Sequence, residues 1–219
     1  MFPVLEVTRP TPEENLAFDD ELLAGGREVL RLWESPRPFV VLGRSCRAET
    51  DVHVEACAAE GVPVLRRSSG GGTVVLGPGC LNYALVLSRP GLMNVAASYS
   101  MILGAVVEAL GVAGLAVEGT DLVLGGRKVA GCAQRRSGSW VLHHGTILCE
   151  GVDLGQIGRL LKEPPRQPLH RAGRSHGEFL APLMKLVPGT NLMKKGRWAG
   201  IGLEKGAQLD SQTNPIGRP

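Results

Sequence analysis

Two arginines and three glycines stand together in the segment Arg66-Arg67-Ser68-Ser69-Gly70-Gly71-Gly72-Thr73. Glycine has no Cβ, so backbone N–H groups can close around an oxyanion, and arginine adds a permanently charged planar fork that suits phosphate or carboxylate. A surface turn is the alternative interpretation, because Gly and Ser are common in turns. We prefer an anion-binding loop, since a solvated turn does not need two arginines leading into it.

This glycine loop follows neither of two common phosphate-binding patterns. GxxxxGK[ST] is absent, and no GxGxxG opens a helix here. The residues after the glycines, Thr73-Val74-Val75-Leu76, are β-branched and typical of a strand. An apolar run, Val62-Pro63-Val64-Leu65, precedes the arginines. The sequence therefore predicts an anion-binding loop between two strands.

A second group of reactive side chains lies on a predicted hairpin over residues 121–131. The pair Gly125-Gly126 is a strong signal for a two-residue turn. With that turn, we expect Asp121 to lie opposite Ala130 and on the same face as Lys128, roughly 7–8 Å from it at the backbone. The carboxylate would hold the ammonium where it can meet an anion. The alternative is an ordinary surface ion pair, worth ~0–1 kcal/mol.

Two adjacent histidines, His143 and His144, follow on another predicted strand. Successive side chains of a strand point to opposite faces, so these two are a poor pair of metal ligands. We expect one to face a pocket and the other to pack or to meet solvent.

Composition and charge exclude several classes of protein. The chain has 219 residues, 43% hydrophobic and 21% charged, as expected for one soluble globular domain. A net charge of +3 and only 4% aromatic residues argue against nucleic-acid binding. Five cysteines without a CxxC pair predict a reduced chain. With no signal-peptide pattern and no bilayer-length apolar segment, we expect a cytoplasmic protein without membrane association.

The predicted elements indicate an α+β fold, with a mixed or antiparallel sheet flanked by helices. The predicted helices begin at the capping box Thr11–Glu14, at Thr50-Asp51 (through Ala59), at Asn94 (through Leu110), near Asp153 (to Lys162) and at the capping box Ser175–Glu178 (to about Leu186). Three strand-like segments are predicted between Leu115 and Cys149. We assign residues 1–188 to one domain and 189–219 to a weakly structured tail, because periodicity is lost there.

The glycine loop resembles the RRxSGGGxV signature of lipoate-protein ligases, within the biotin/lipoate ligase superfamily. Other segments resemble that family and occur in its order: Asn15-Leu16-Ala17-Phe18-Asp19, Val41-Leu42-Gly43-Arg44-Ser45, GRKVAGxAQRR at 126–136, HHGTxL at 143–148 and, more weakly, 171–180. The chain is thereby identified as a member of this superfamily, which implies its catalytic-domain fold.

The resemblance implies a two-step reaction. A lipoate or octanoate carboxylate attacks the α-phosphate of ATP to give an acyl-adenylate, and a lysine of a lipoyl domain then attacks that anhydride. The residues implied to contact the nucleotide are Arg67, Gly70, Gly71, Gly72, Thr73, Val74, Val75 and Lys128. The acyl substrate is assigned to Lys128, His144 and Asn82, and catalysis to Lys128, Arg67 and Asp121.

The resemblance also implies the partners of the reaction. Mg²⁺ is expected to arrive on the ATP phosphates rather than in a protein cage. The expected acceptors are lipoyl domains of 2-oxoacid dehydrogenase E2 subunits or the glycine cleavage H protein. The larger bacterial ligases carry a C-terminal accessory domain that this chain is too short to hold. A separate accessory chain is therefore a possible partner.

Transferases of the same fold are the first alternative, since they use a Cys nucleophile and no ATP. That Cys normally lies in the loop aligned with Gly114–Thr120, which has none. Cys132 and Cys149 fall in predicted strands and are expected to be small core residues, whereas Cys46 and Cys80 fall in predicted loops.

Two further alternatives remain. Biotin ligases carry a GRGRxG run, and Gly43-Arg44-Ser45 stops short of it. A non-catalytic member of the fold would bind lipoyl-adenylate or a lipoyl domain without turnover. Cys80 replaces an Asn that is usual in ligases and favours this reading, whereas the glycines, Arg67 and Lys128 argue against it.

Overall fold

A computed structural model describes residues 3–88 and 94–183 of the chain. In the larger sheet the strand order is β1 (Val4–Glu6), β2 (Val29–Trp33), β6 (Cys80–Ser88), β10 (Trp140–Leu148), β9 (Arg127–Ser137), β8 (Asp121–Leu124) and β7 (Ala116–Glu118). In the smaller sheet it is β4 (Val64–Arg66), β3 (Phe39–Leu42) and β5 (Val74–Leu76). The helices are α1 (Pro12–Ala24), α2 (Ala48–Asp51), α3 (Val54–Ala59), α4 (Val95–Leu110), α5 (Leu154–Leu160) and α6 (His176–Phe179), with a 3₁₀ turn at Leu169–Arg171.

Both sheets are mixed, so the predicted α+β class is confirmed. In the larger sheet β1 runs parallel to β2, and the other neighbouring strands are antiparallel. In the smaller sheet β3 is parallel to β4 and antiparallel to β5. The glycine loop joins β4 to β5, as the sequence predicted.

The larger sheet is covered on both faces. Alternate residues of β6 pack into different clusters, because side chains of a strand point to opposite faces. Leu85 and Leu87 join Ile102 and Leu103 of α4, whereas Ala84 and Val86 pack with Leu23 of α1. This double burial explains why β6 is apolar almost throughout.

Two predicted helices differ in the structure. The capping box at Ser175 is present, but α6 ends at Phe179 because the next turn is lost to the sheet, where the Ala181 N–H donates to the Lys128 carbonyl. The helix predicted from Thr50 is two helices. Val52 is extended between them, with its side chain buried and its backbone bridged to Leu161.

The strands also differ in detail. Four strands, rather than three, occupy the region from Leu115 to Cys149. Cys80, predicted in a loop, is the first residue of β6 and is buried, because its backbone already pairs with Leu148 of β10. Residues 189–219, predicted as a weakly structured tail, lie outside the described residues.

The predicted hairpin is present, but its register is shifted by one residue at its open end. Val123 pairs with Lys128, as expected from the Gly125-Gly126 turn. Asp121 pairs with Gly131 and not with Ala130, because a β-bulge interrupts the ladder next to Val123.

Candidate active site

A cavity of about 640 Å³ collects most of the residues that the sequence singled out. Its walls come from the larger sheet, the smaller sheet and the segment that follows α5. The predicted site residues that line it are Arg67, Gly71, Gly72, Thr73, Val74, Val75, Asn82, Asp121, Lys128 and His144. Gly70 is the predicted site residue that does not line this cavity.

Arg67 organises the glycine loop from within. Its Nη2 donates to the carbonyls of Gly70 and Gly72, both at 2.7 Å, and its Nε donates to Ser69 Oγ at 3.0 Å. Burial lowers the pKa of Arg67. The guanidinium turns the two carbonyls toward itself and fixes the path of the loop. Its contact with a nucleotide stays a prediction.

The three hydroxyl groups of the loop are each bonded to a side chain from another part of the chain. The pairs are Ser68 Oγ with Asp20 Oδ1, Ser69 Oγ with His144 Nε2 and Thr73 Oγ1 with Asp51 Oδ2, each at 2.6 Å. The loop is therefore held in one shape before any ligand arrives, which favours a binding role over that of a solvated turn.

Gly43 makes room for the glycine loop. A Cβ on Gly43 would lie 2.1 Å from the carbonyl oxygen of Gly71, and the neighbouring Arg44 N–H donates to the Ser69 carbonyl at 2.8 Å. The Cβ is fixed to the backbone of residue 43, and the oxygen belongs to the backbone of Gly71. No side-chain rotation can therefore relieve this contact.

We expect Gly43→Ala to lower the free energy of unfolding by ~1–3 kcal/mol, the usual cost of overpacking. Gly70→Ala is the matched control, since its added Cβ meets no atom within 4 Å. Its effect should stay within about 1 kcal/mol. Urea denaturation of both variants measures the difference. Equal stabilities would show that the loop can move away from Gly43 at no cost.

The ammonium of Lys128 is paired with Asp121. Lys128 Nζ lies 2.8 Å from Asp121 Oδ1, and the lysine side chain is 24% exposed against 7% for the aspartate. The β-bulge places Asp121 opposite Gly131, whose missing side chain leaves space, since a Cβ there would lie 2.8 Å from Nζ. The predicted ion pair is confirmed, and it is a partly buried pair at the cavity wall rather than a surface pair.

Sequence reasoning missed a third member of this group, His170. Its Nε2 lies 3.0 Å from Asp121 Oδ2, and its Nδ1 lies 3.5 Å from Glu118 Oε2. His170 stands in the 3₁₀ turn after a proline-rich loop, and the only signal was its place beside the weaker family match at 171–180.

The two adjacent histidines face opposite ways, as expected. His143 is buried between the rings of Tyr83 and Tyr99, at centroid distances of 5.9 and 5.4 Å. Burial lowers the pKa of His143 to about 3, so this ring is neutral at physiological pH. His144 faces the cavity, with Nε2 on Ser69 Oγ and Nδ1 3.8 Å from Asp19 Oδ2.

Asn82, predicted at the acyl substrate, is buried in the cavity wall. Its Oδ1 accepts from Thr146 Oγ1 at 2.7 Å, and its Nδ2 donates to the Cys80 carbonyl at 3.1 Å. Its amide is thus held in one orientation by its own strand, β6, and by the neighbouring strand β10.

The cysteines differ in their burial. Burial raises the pKa of Cys80 and of Cys132 to about 12, and that of Cys149 to about 11. Such thiols are poor nucleophiles, because the thiolate is the reactive form. Cys132 does line the cavity, where its Sγ lies 3.1 Å from Tyr83 Oη. Cys46 is half-buried in a loop, and its thiol donates to the Gly71 carbonyl.

Two features are absent from residues 3–88 and 94–183. No cluster of three or more His, Cys, Asp or Glu is arranged to hold a metal ion there. No helix in that part of the chain is long and apolar enough to cross a membrane.

Comparison with known sequences points to one family. The model of the lipoyl protein ligase A/B catalytic domain matches residues 11–190. A relative from Aeropyrum pernix named "Putative lipoate-protein ligase A" is 32% identical over 165 residues, covering 72% of this chain and 61% of its own. The octanoyltransferase LipM of Carboxydothermus hydrogenoformans is 33% identical over 200 residues, covering 74% of this chain and 73% of its own. The chain thus spans about three fifths of the length of the Aeropyrum protein.

Solved structures share the fold. One is the bi-partite lipoate protein ligase of Thermoplasma acidophilum, described together with its E2 lipoyl domain. It has a TM-score of 0.75 and 23% identity, over 91% of this chain and 80% of the other. Another is lipoate-protein ligase A bound with ATP, with a TM-score of 0.74 and 22% identity, over 91% and 82%. At these identities the likeness shows the fold alone, which is the one that these lipoate-protein ligases share.

Proposed function

We propose a function from the premise that the chain belongs to the lipoyl protein ligase A/B catalytic domain family. It attaches lipoate or octanoate to a lysine of a lipoyl-domain protein, by way of an acyl-adenylate made from ATP. The observation that carries the proposal is the position of Lys128, which lies with the preorganised glycine loop around one cavity.

The first step needs positive charge where phosphoryl oxygens develop negative charge, and fixed donors supply it most effectively. Lys128 would provide the ammonium, by leaving or sharing its contact with Asp121 when the anion arrives. The loop from Gly71 to Thr73 would provide backbone N–H groups, held in shape by Arg67. Mg²⁺ would neutralise the phosphates of ATP and enter with them. A lipoate-protein ligase A of similar fold is described as bound with ATP, which supports ATP as the substrate here.

The acyl chain would lie on the apolar part of the cavity wall. A volume of about 640 Å³ falls within the ~300–1,000 Å³ that is usual for small-molecule sites. Val41, Val75, Leu76 and Leu148 are among the apolar residues that line it. Asn82 and His144 stand in the same wall and could orient the carboxylate.

The acceptor of the second step would be a lipoyl domain, from an E2 subunit or from the glycine cleavage H protein. The Thermoplasma ligase of similar fold is described with an E2 lipoyl domain. That ligase is also described as bi-partite, so a separate accessory chain is a candidate partner here.

A cofactor-free octanoyl or lipoyl transferase is the second candidate, favoured by the similarity to the LipM octanoyltransferase. It would form a thioester on a cysteine and use no ATP. In the structure, Cys132 is the cysteine that lines the cavity, and burial raises its pKa to about 12. The loop 114–120 has no cysteine. These observations favour the ligase.

The test supplies an apo lipoyl domain with octanoate or lipoate plus ATP in one reaction, and with octanoyl carrier protein without ATP in another. We expect acyl transfer only with ATP, and we expect it to persist in the single variants Cys46→Ser and Cys132→Ser. A variant lacking all five cysteines should behave alike, apart from packing losses. Mass spectrometry that traps an acyl-thioester without ATP would establish the transferase instead. A lack of transfer from either donor, even with an accessory chain added, would favour a non-catalytic member.

A further inference from the structure

The carboxylate of Asp121 is held from two sides. Oδ1 lies 2.8 Å from Lys128 Nζ, and Oδ2 lies 3.0 Å from His170 Nε2. We propose that His170 is a positioning residue, which fixes Asp121 and through it the ammonium of Lys128 for the adenylate-forming step. The inference rests on the proposed function for the identity of that step.

His170 is itself held in place by contacts of its main chain and of its ring. Its backbone carbonyl accepts from Arg174 Nη2 at 2.6 Å, and Arg174 Nη1 donates to the Gly126 carbonyl at 2.9 Å. Its ring lies 5.5 Å from the ring of Phe179, and its Nδ1 faces Glu118. The imidazole therefore has a defined place at the cavity wall, with 17% of the side chain exposed.

The same segment also holds the backbone of the lysine. The Ala181 N–H donates to the Lys128 carbonyl at 3.0 Å, and Arg127 Nη2 donates to the Gly177 carbonyl at 2.6 Å. The segment from His170 to Ala181 thus anchors Lys128 twice, once through its main chain and once through Asp121.

Such anchoring matters because lysine carries its charge on a flexible four-carbon stem. A catalytic charge that is displaced by about 1 Å can cost on the order of 10²-fold in rate. With one oxygen on His170, the Asp121 carboxylate cannot rotate freely, so Nζ has one preferred position on the cavity wall. When Nζ turns toward an arriving anion, His170 still satisfies the aspartate.

The activity test compares His170→Leu with His170→Gln. Leucine removes the donor, whereas the glutamine amide can still donate to Asp121. We expect His170→Leu to lower kcat for acyl-adenylate formation by about 10- to 100-fold. KM for ATP and for lipoate should change by less than about threefold, because binding contacts remain. His170→Gln should recover most of the rate. His53→Ala, an exposed histidine outside the cavity lining, is the matched control and should equal the unmodified protein.

A second measurement does not depend on activity. Brief acetylation with acetic anhydride, followed by peptide mass spectrometry, reports how freely the Lys128 amine reacts relative to Lys162. We expect His170→Leu to raise the labelling of Lys128 about threefold or more, because its ammonium is then less firmly paired. The labelling of the reference amine, Lys162, should be unchanged. Thermal melting confirms that each variant is folded.

The outcomes of these measurements distinguish failure of the proposed function from failure of the positioning role of His170. If the unmodified protein makes no acyl-adenylate, the proposed function fails, while the labelling of Lys128 still tests the role of His170. Unchanged labelling in His170→Leu overturns the positioning role. Equal losses of kcat in His170→Leu and His170→Gln also overturn it, since a donor to Asp121 would then not be what matters.

Discussion

Replacement of Lys128 by alanine is expected to abolish acyl-adenylate formation and to leave the fold intact. The ammonium of Lys128 lies on the wall of the cavity that the glycine loop also lines, and the hairpin around it is held by backbone pairing. Loss of one preorganised charge-stabilising group costs about 3 kcal/mol or more in the transition state, which is a fall in rate of at least ~100-fold.

The fold should tolerate this change because Asp121 keeps a partner. His170 Nε2 remains 3.0 Å from Asp121 Oδ2, so the carboxylate is not left without a hydrogen bond. We therefore expect a small change in stability beside the large change in rate. Pyrophosphate exchange measures the rate, and thermal melting measures the stability.

Two variants serve as controls for Lys128→Ala. Lys128→Arg keeps the charge but replaces a point charge with a planar fork, so it should recover only part of the activity. Arg159→Ala removes an exposed cation that does not line the cavity and whose Nε lies 3.1 Å from Glu60 Oε1, and it should leave the rate unchanged. Near-normal adenylate formation by a folded Lys128→Ala protein would remove Lys128 from the mechanism.

The lysine-aspartate pair could be predicted from sequence because short-range signals fix it. A Gly-Gly turn sets which residues of the hairpin face one another, and that places Lys128 and Asp121 on one side. The β-bulge could not be predicted, since it depends on packing against the neighbouring strands. It altered the partner of Asp121 and yet preserved the ion pair, because Gly131 leaves room for both side chains.

The features that sequence could not provide depend on contacts between distant parts of the chain. His170 reaches Asp121 only because residues 169–183 pack back against the hairpin, and no periodic pattern in the sequence predicts that packing. Arg67 is a similar case. An arginine beside glycines can face a ligand or bond to the loop itself, and only the three-dimensional path of the loop shows that Gly70 and Gly72 take its donors.

Removal of the buried cation Arg31 is expected to give the largest loss of stability. Its guanidinium is fully buried, with Nη1 2.6 Å from Asp19 Oδ1 and 2.8 Å from the Asn15 carbonyl, and Nε 2.9 Å from the Val7 carbonyl. Burial lowers the pKa of Arg31, and the neighbouring Asp19 acts in the opposite direction. Arg31→Met would leave the Asp19 carboxylate buried and uncompensated, which typically costs ~3–5 kcal/mol.

The neighbouring acidic residue provides the control for Arg31→Met. Asp20 pairs with Arg135 at 2.9 Å, but both side chains are more than one third exposed, so Arg135→Met should cost only ~0–1 kcal/mol. A double variant, Arg31→Met with Asp19→Leu, separates buried charge from lost packing. We expect it to regain much of the stability, because an apolar pair often replaces a buried ion pair without loss. Urea denaturation measures all three. If Arg31→Met were no worse than Arg135→Met, the buried charge of Asp19 would not govern the stability of this part of the protein.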